Sequence, residues 1–268
     1  MFCTAQSAPP KKSHGTVLKI DSFYMPQLDR ARDIWVYLPY DYQSSTKKYP
    51  VLYMQDGQNL FEDSTSFVGE WHVDEALDSL FEEGNYGCIV VGIENGGALR
   101  VEEYMPHVHP EYGGGRGSDY VNFIVQTLKP HIDSTYRTLP EAANTGIGGS
   151  SLGALIAYYA VLNHPDVFQK AMVFSPSFMF DDSIHFSWNN GHPEVETLKM
   201  YLLAGALEGD NGELVEDVEF VESIYKMYGL NPENLNIKIC ADGQHNEWFW
   251  SREFGPAYAW LFIDSNRE

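Results

Sequence analysis

Residues 145–160 read TGIGGSSLGALIAYYA, a small-residue run that ends in two adjacent serines and passes directly into an apolar, helix-favouring segment. A serine where a strand hands over to a helix has the placement of a nucleophile elbow, which holds the hydroxyl out on a strained backbone. Such a turn is tight. The residues two before and two after the nucleophile press on neighbouring backbone, and glycine is what fits there. Ser151 has glycine at both offsets, Gly149 and Gly153, whereas the residue two after Ser150 is Leu152. Spacing therefore selects Ser151.

A serine hydroxyl is a weak nucleophile unless a base lies within hydrogen-bond reach and a third group orients that base. Of the nine histidines, His245 is best placed, in NIKICADGQHNEW between the last expected strand and the final helix. His107 and His109, in PHVHPE, have a spacing that suits a metal, but no further ligand cluster accompanies them. His164, in NHPDVF, reads as a helix-terminus residue. The acid is expected to leave the end of the seventh strand, where MYLLAGALEGDN supplies Glu208 first and Asp210 second. Asp181 or Asp182, in FSPSFMFDDS, is a third choice, and each of the four also fits an ordinary solvated loop carboxylate.

Attack on a carbonyl builds an oxyanion that needs two preorganised N–H donors. The backbone of Leu152, at the start of the helix, is expected to supply one. The loop after the third strand, YMQDGQNLFED, is expected to supply the other: Gly57 allows a close approach that turns the N–H of Gln58 inward. An ordinary Asp-Gly turn has the same local sequence.

These residues converge only if strand ends meet at one edge of a sheet. Strands are expected near Val17–Ser22, Asp33–Leu38, Val51–Gln55, Cys88–Ile93, Asn144–Gly148, Ala171–Phe174, Met200–Ala204 and Leu235–Cys240. Helical patterns lie between them at Val73–Glu83, Asp119–His131, Leu152–Asn163, Leu214–Tyr228 and Glu247–Ile263. Runs such as CIVVGI and MYLLA are apolar throughout, as strands buried on both faces must be. The alternation predicts an α/β fold with about eight strands, mostly parallel, and helices on both faces. The first two strands have no helix between them and are expected to form an antiparallel edge hairpin. Residues 1–15 are rich in Pro, Lys and Ser and read as a disordered lead-in to a single domain over 16–268.

Composition narrows the partners. With 17 Lys and Arg against 38 Asp and Glu, the chain carries a formal charge of -21, which repels phosphate backbones and anionic lipid. Neither nucleic acid nor a membrane is expected as a partner, and no apolar run reaches transmembrane length. The three cysteines, Cys3, Cys88 and Cys240, lack metal-finger spacing and do not make a disulfide framework. The start, MFCTAQSAPPKKSHG, is no signal peptide as written, which points to the cytoplasm. The small residues of CTAQSA also fit the remnant of a trimmed leader, which would point to secretion.

Taken in order, YPVLYMQDGQNLF, GEWHVDEAL, LKPHIDSTYRT, GIGGSSLGALIAYYAVLNHPDVF, FSPSF and GQHNEWFW resemble the esterase D-like branch of the α/β-hydrolases. That branch includes enterochelin esterases, feruloyl and acetyl-xylan esterases, S-formylglutathione hydrolases and mycolyltransferases. The likeness runs from about Arg32 to Phe262. It implies the α/β-hydrolase fold and a serine ester hydrolase that needs no cofactor and no metal. Carried over, the family pattern makes Ser151 the nucleophile, His245 the base, and Glu208, three residues after Gly205, the acid. Gln58, after the D-G pair, becomes the second oxyanion donor. One departure is Gly153-Ala154, where many relatives carry two glycines. The histidine segment differs from that of the formaldehyde-detoxifying relatives, which disfavours their activity.

The substrate must be read from the cleft. Trp71, Phe178, Phe180, Trp188 and Trp248 are expected to rim it and to stack on an aromatic acyl group or a sugar ring, with Trp250 and Trp260 in the core. Arg100, in NGGALRVEEYMP, resembles the family's Arg-x-x-Glu-Tyr segment. It either holds an anionic substrate or pairs internally with Glu103. The negative charge favours a carbohydrate-linked feruloyl or acetyl ester over a ferric catechol siderophore; siderophore esterase and acyltransferase remain the alternatives. The expected partner is a small-molecule or carbohydrate-linked ester, and oligomeric state is not legible.

Overall fold

The computed structural model describes residues 14–66, 68–186, 196–209, 213–228 and 230–263. The chain opens on the expected antiparallel hairpin, β1 (Thr16–Met25) and β2 (Arg30–Leu38). Then come β3 (Val51–Gln55), α1 (Val73–Glu82), β4 (Ile89–Ile93) and a short helix α2 (Arg100–Tyr104). A two-residue hairpin, β5 (Val108–His109) with β6 (Gly113–Gly114), stands apart from the main sheet. Helix α3 (Gly117–Phe123) continues through one π turn, Ile124–Leu128, into α4 (Lys129–Thr135). The remainder alternates: β7 (Thr145–Ser150), α5 (Leu152–Asn163), β8 (Lys170–Phe174), β9 (Lys199–Gly205), α6 (Glu213–Met227), β10 (Leu235–Cys240) and α7 (Glu247–Phe262).

Eight strands form one sheet in the order β1-β2-β4-β3-β7-β8-β9-β10. From β4 to β10 every neighbouring pair is parallel; β2 runs antiparallel to both of its neighbours. Alternate side chains divide between two cores. On one face Val51, Tyr53, Val173 and Leu202 pack with residues of α2 to α6. On the other, Leu52, Met54, Phe174 and Leu203 pack with α1 and α7. Helix α5 is buried almost all round, touching β7 and β8 as well as α2 and α3, and its sequence is apolar on every side for that reason. From β3 the chain first builds outward to β4 and later crosses to β7 on the other side. The strand order thus reverses between β3 and β7, and the crevice beyond the carboxyl ends of strands at such a reversal is where α/β sheets bind ligands. No helix among the described residues is long and apolar enough to cross a membrane.

Helix α2 was not anticipated, because five residues beside a Gly-Gly pair carry no readable period. Its anchor is electrostatic. Glu103 is fully buried and accepts from Arg30 Nη1 at 2.8 Å and from Arg32 Nη2 at 2.6 and 2.8 Å, which ties α2 to β2. Removing one member of such a group leaves the others charged and dry. Glu103→Ala is therefore expected to lower stability by about 3–5 kcal/mol in urea unfolding, and a loss under about 1 kcal/mol would contradict this role.

Candidate active site

Ser151 alone makes the turn from β7 to α5, at φ 58 and ψ −125. A non-glycine residue holds such a backbone only where its surroundings over-determine it. Here they do. Its N–H donates to the Phe174 carbonyl at 3.0 Å, and its own carbonyl accepts from the N–H of Ala154, Leu155 and Ser177. A Cβ on Gly149 would lie 2.9 Å from the carbonyl group of Gly153, and one on Gly153 would lie 3.0 Å from Asp56 Oδ2 and Gln55 Cβ. The two-before, two-after glycine pattern is thus the point where strand and helix cross. Ser150, by contrast, belongs to the ladder of β7, opposite Phe174. The hydroxyl of Ser151 rests 3.0 Å from Ser177 Oγ.

Glu208 follows β9 and is 2% exposed, so every polar contact it makes is with the protein. Its Oε2 lies 2.7 Å from Nδ1 of His245, and its Oε1 accepts from the backbone N–H of Gly205 at 2.8 Å and from Ser175 Oγ at 2.7 Å. A carboxylate on Nδ1 puts the ring proton there and leaves Nε2 as the acceptor. Trp250 Nε1 in turn donates to Ser175 Oγ at 2.8 Å, and the indole meets the His245 ring edge to face with centroids 5.0 Å apart. Trp250, Ser175, Glu208 and His245 therefore close a ring of contacts around the imidazole. Ser175 sits at φ 46, a second strained serine, held by its N–H bond to the Leu203 carbonyl.

Asp56 ends β3 in the left-handed region, at φ 56, and starts the short helical turn Gly57–Asn59. A Cβ on Gly57 would lie 2.5 Å from the carbonyl carbon of Gly92, so glycine is what lets this turn lie against β4. Asp56 holds the turn from three sides. Its carboxylate accepts from Arg100 Nε at 2.7 Å, Arg100 Nη2 at 2.9 Å and Asn95 Nδ2 at 2.7 Å, and its N–H donates to the Tyr104 hydroxyl at 3.2 Å. Gln58 Oε1 adds a bond from the Asn95 N–H at 3.2 Å. Arg100 therefore pairs with Asp56. The expected alternative, a pair with Glu103, is corrected: that carboxylate belongs to Arg30 and Arg32.

Ser151, His245, Gln58 and Arg100 line one cleft of about 680 Å3, together with Asp56, Glu94, Glu247 and Trp250. Leu152, the first residue of α5, is buried next to Ser151, with its N–H among those a helix start leaves unpaired. The aromatic rim is otherwise than expected. Trp71 is 4% exposed and sandwiched between Phe174 and Trp250; Phe178 is 1% exposed and packs edge to face on Tyr158 and His185. Both are core residues, because a ring beside the cleft gains more area by packing inward. Trp248 is 62% exposed under the Arg252 guanidinium and does not line the cleft. Phe180 meets Tyr112 outside the cleft, and Trp188 and Asp210 lie outside the described residues, as does the side chain of Asp182. Asp181 is taken by His107 and Ser183 at 2.7 Å each, and His164 ends α5 as expected. Glu94, Asn95, Ser175, Ser177 and Glu247 also belong to the site; all but Glu94 fall within the segments NGGALRVEEYMP, FSPSF and GQHNEWFW, which is their one sequence signal.

Among the described residues one group has metal-ligand spacing: Glu70, His72 and Glu75, whose ligand atoms lie within 4.8 Å of one another. It stands outside the cleft lining and offers no ligand to Ser151 or His245. Beside it, burial pushes the Asp74 carboxyl up to about 7, with Glu75 adding to the shift, and its Oδ1 is buried without a hydrogen-bond partner among the described residues.

The family model described as "Putative esterase" matches residues 26–258. "Uncharacterized protein YbbA" of Bacillus subtilis (strain 168) is 25% identical over 246 residues, covering 86% of this chain and 92% of that protein. The feruloyl esterase module from Clostridium thermocellum complexed with sinapinate is similar in fold, with TM-score 0.71 and 17% identity over 97% of this chain and 92% of that one. So is the enterobactin esterase FES from Shigella flexneri in the presence of enterobactin, with TM-score 0.73 and 19% identity over 95% of this chain and 59% of that one.

Two outcomes follow from this geometry. Trp250→Phe keeps most of the buried ring but takes the donor from Ser175, and is expected to cost about 1–3 kcal/mol in urea unfolding. Asp74, usually 3.8 and about 7 when folded, holds a proton in the native chain that the unfolded chain releases. It therefore weakens stability as pH rises through that window. The advantage of Asp74→Asn over the parent in unfolding midpoint should grow between those two pH values; an advantage that shrinks would reverse the assignment.

Proposed function

That the chain belongs to the "Putative esterase" family is the premise from which we propose a serine carboxylesterase, working through an acyl-enzyme on a carbohydrate-linked feruloyl or acetyl ester. The observation that carries this reading is the 2.7 Å contact between His245 and buried Glu208, on an imidazole that lines the same cleft as strained Ser151.

In the proposed cycle the Ser151 hydroxyl leaves Ser177 and bonds Nε2 of His245. Oγ attacks the ester carbonyl as Nε2 takes its proton, and the carbonyl electrons move onto oxygen. The backbone N–H groups of Leu152 and Gln58 meet that oxyanion. Because they belong to a helix start and to a turn clamped by Asp56, they need no rearrangement as charge develops. Collapse re-forms the carbonyl and expels the alcohol, which receives the proton from His245. Water, deprotonated by His245, then attacks the acyl-enzyme; collapse releases the acid, and the departing Ser151 Oγ takes the proton back from Nε2 of His245. Throughout, Glu208 fixes the Nδ1–H tautomer and stabilises the imidazolium.

Arg100 enters as a positioning residue. Its guanidinium is bound through Nε and Nη2 to Asp56, so it shapes the turn that presents Gln58, and the Asp56 carboxylate offsets its charge. This favours an uncharged ester over a siderophore. Ser151→Ala is expected to lower kcat on methyl ferulate or a nitrophenyl ester by about six orders of magnitude, because the three residues act as a unit. A purified Ser151→Ala protein that hydrolyses these esters at the parent rate would refute the mechanism.

A further inference from the structure

Glu247 is one residue the cycle above leaves without a task. It opens α7 two residues after His245, is 9% exposed and lines the cleft. No other side chain hydrogen-bonds its carboxylate among the described residues. Burial, opposed by a bond from its own backbone N–H and reinforced by the Asp56 carboxylate, holds the carboxyl above its ordinary range. The charges around it are uneven. Asp56, Glu94 and Glu247 all line the cleft, and the one cationic side chain of that lining, Arg100, is already bonded to Asp56.

The direction of the reaction says which half of the substrate meets Glu247. His245 hands its proton to the leaving oxygen, so the alcohol must lie on the imidazole side of Ser151. Glu247 lies two residues from His245 and lines the same cleft, within electrostatic reach of both the His245 ring and the Asp56 carboxylate. An ionised carboxylate offers acceptors only, and hydroxyl groups are donors that an uncharged sugar presents in number. Resting on the esterase reading, we propose that Glu247 is the specificity-determining residue for the alcohol. Its carboxylate accepts hydrogen bonds from the hydroxyls of an uncharged sugar, and the cleft turns away esters whose alcohol is anionic.

One acyl group, feruloyl or acetyl, placed on arabinose, methanol, choline and quinic acid tests this directly. The intact protein should give its highest kcat/KM on the arabinose ester and its lowest on the anionic quinic ester, with that gap narrowing as salt is added. Loss of one charge-assisted bond in Glu247→Gln should lower the arabinose-to-methyl ratio about tenfold and raise the quinic ester relative to the methyl ester. Glu247→Asp, which keeps the charge, should retain discrimination against the quinic ester. A parent that prefers the quinic or the choline ester overturns the proposal, as does a Glu247→Gln ratio equal to the parent's. Failure to hydrolyse any of the four esters removes the esterase reading itself, a different result from hydrolysis without the expected order.

Discussion

A carboxylate sealed inside a protein must have its oxygens answered by donors, and Glu208 arranges much of this molecule around that demand. The loop after β9 must fold back so that Gly205 can offer its N–H. Ser175 must take a left-handed backbone so that its hydroxyl arrives. Trp250 must be in the core, with its indole nitrogen turned to Ser175. His245 is the one partner with solvent on its other side. The imidazole is therefore oriented by a structure that closes behind it, and it is free only in the direction of Ser151's cleft.

The second constraint is steric. Where β7 meets α5, a methyl group on Gly149 would press on the Gly153 backbone and one on Gly153 would crowd Gln55 and Asp56, and the residue between them holds a conformation that puts its side chain outside both elements. This is why the pattern around Ser151 was legible: a clash rule acts over five residues and needs no knowledge of distant parts. The strands were legible for a similar reason, since burial on two faces leaves runs such as VLYMQ, whose limits agree with the structure. His245 and Glu208 could be ordered along the chain by the ends of those strands.

What remained hidden depends on depth and on distant pairing. Composition tells that Trp71 and Phe178 are apolar but not whether their rings turn to a cleft or away from it. The partner of Arg100 lies 44 residues back, at Asp56, which was neither of the two alternatives that the local sequence offered. Glu103 itself answers to two arginines more than seventy residues earlier. Helix α2 exists because of those pairings, so no local pattern announces it. Ser175 and Ser177 were visible only as letters of FSPSF; what distinguishes them is which oxygen each one meets.

Helix α5 is enclosed by the sheet and by other helices on nearly every side. The support of the reactive turn therefore owes little to solvent. Charged substitutions over the outer shell can accumulate without altering the crossing beneath. Adaptation to a new salinity or acidity and preservation of the catalytic apparatus are in this way assigned to separate sets of positions, and selection can act on one while leaving the other as it was.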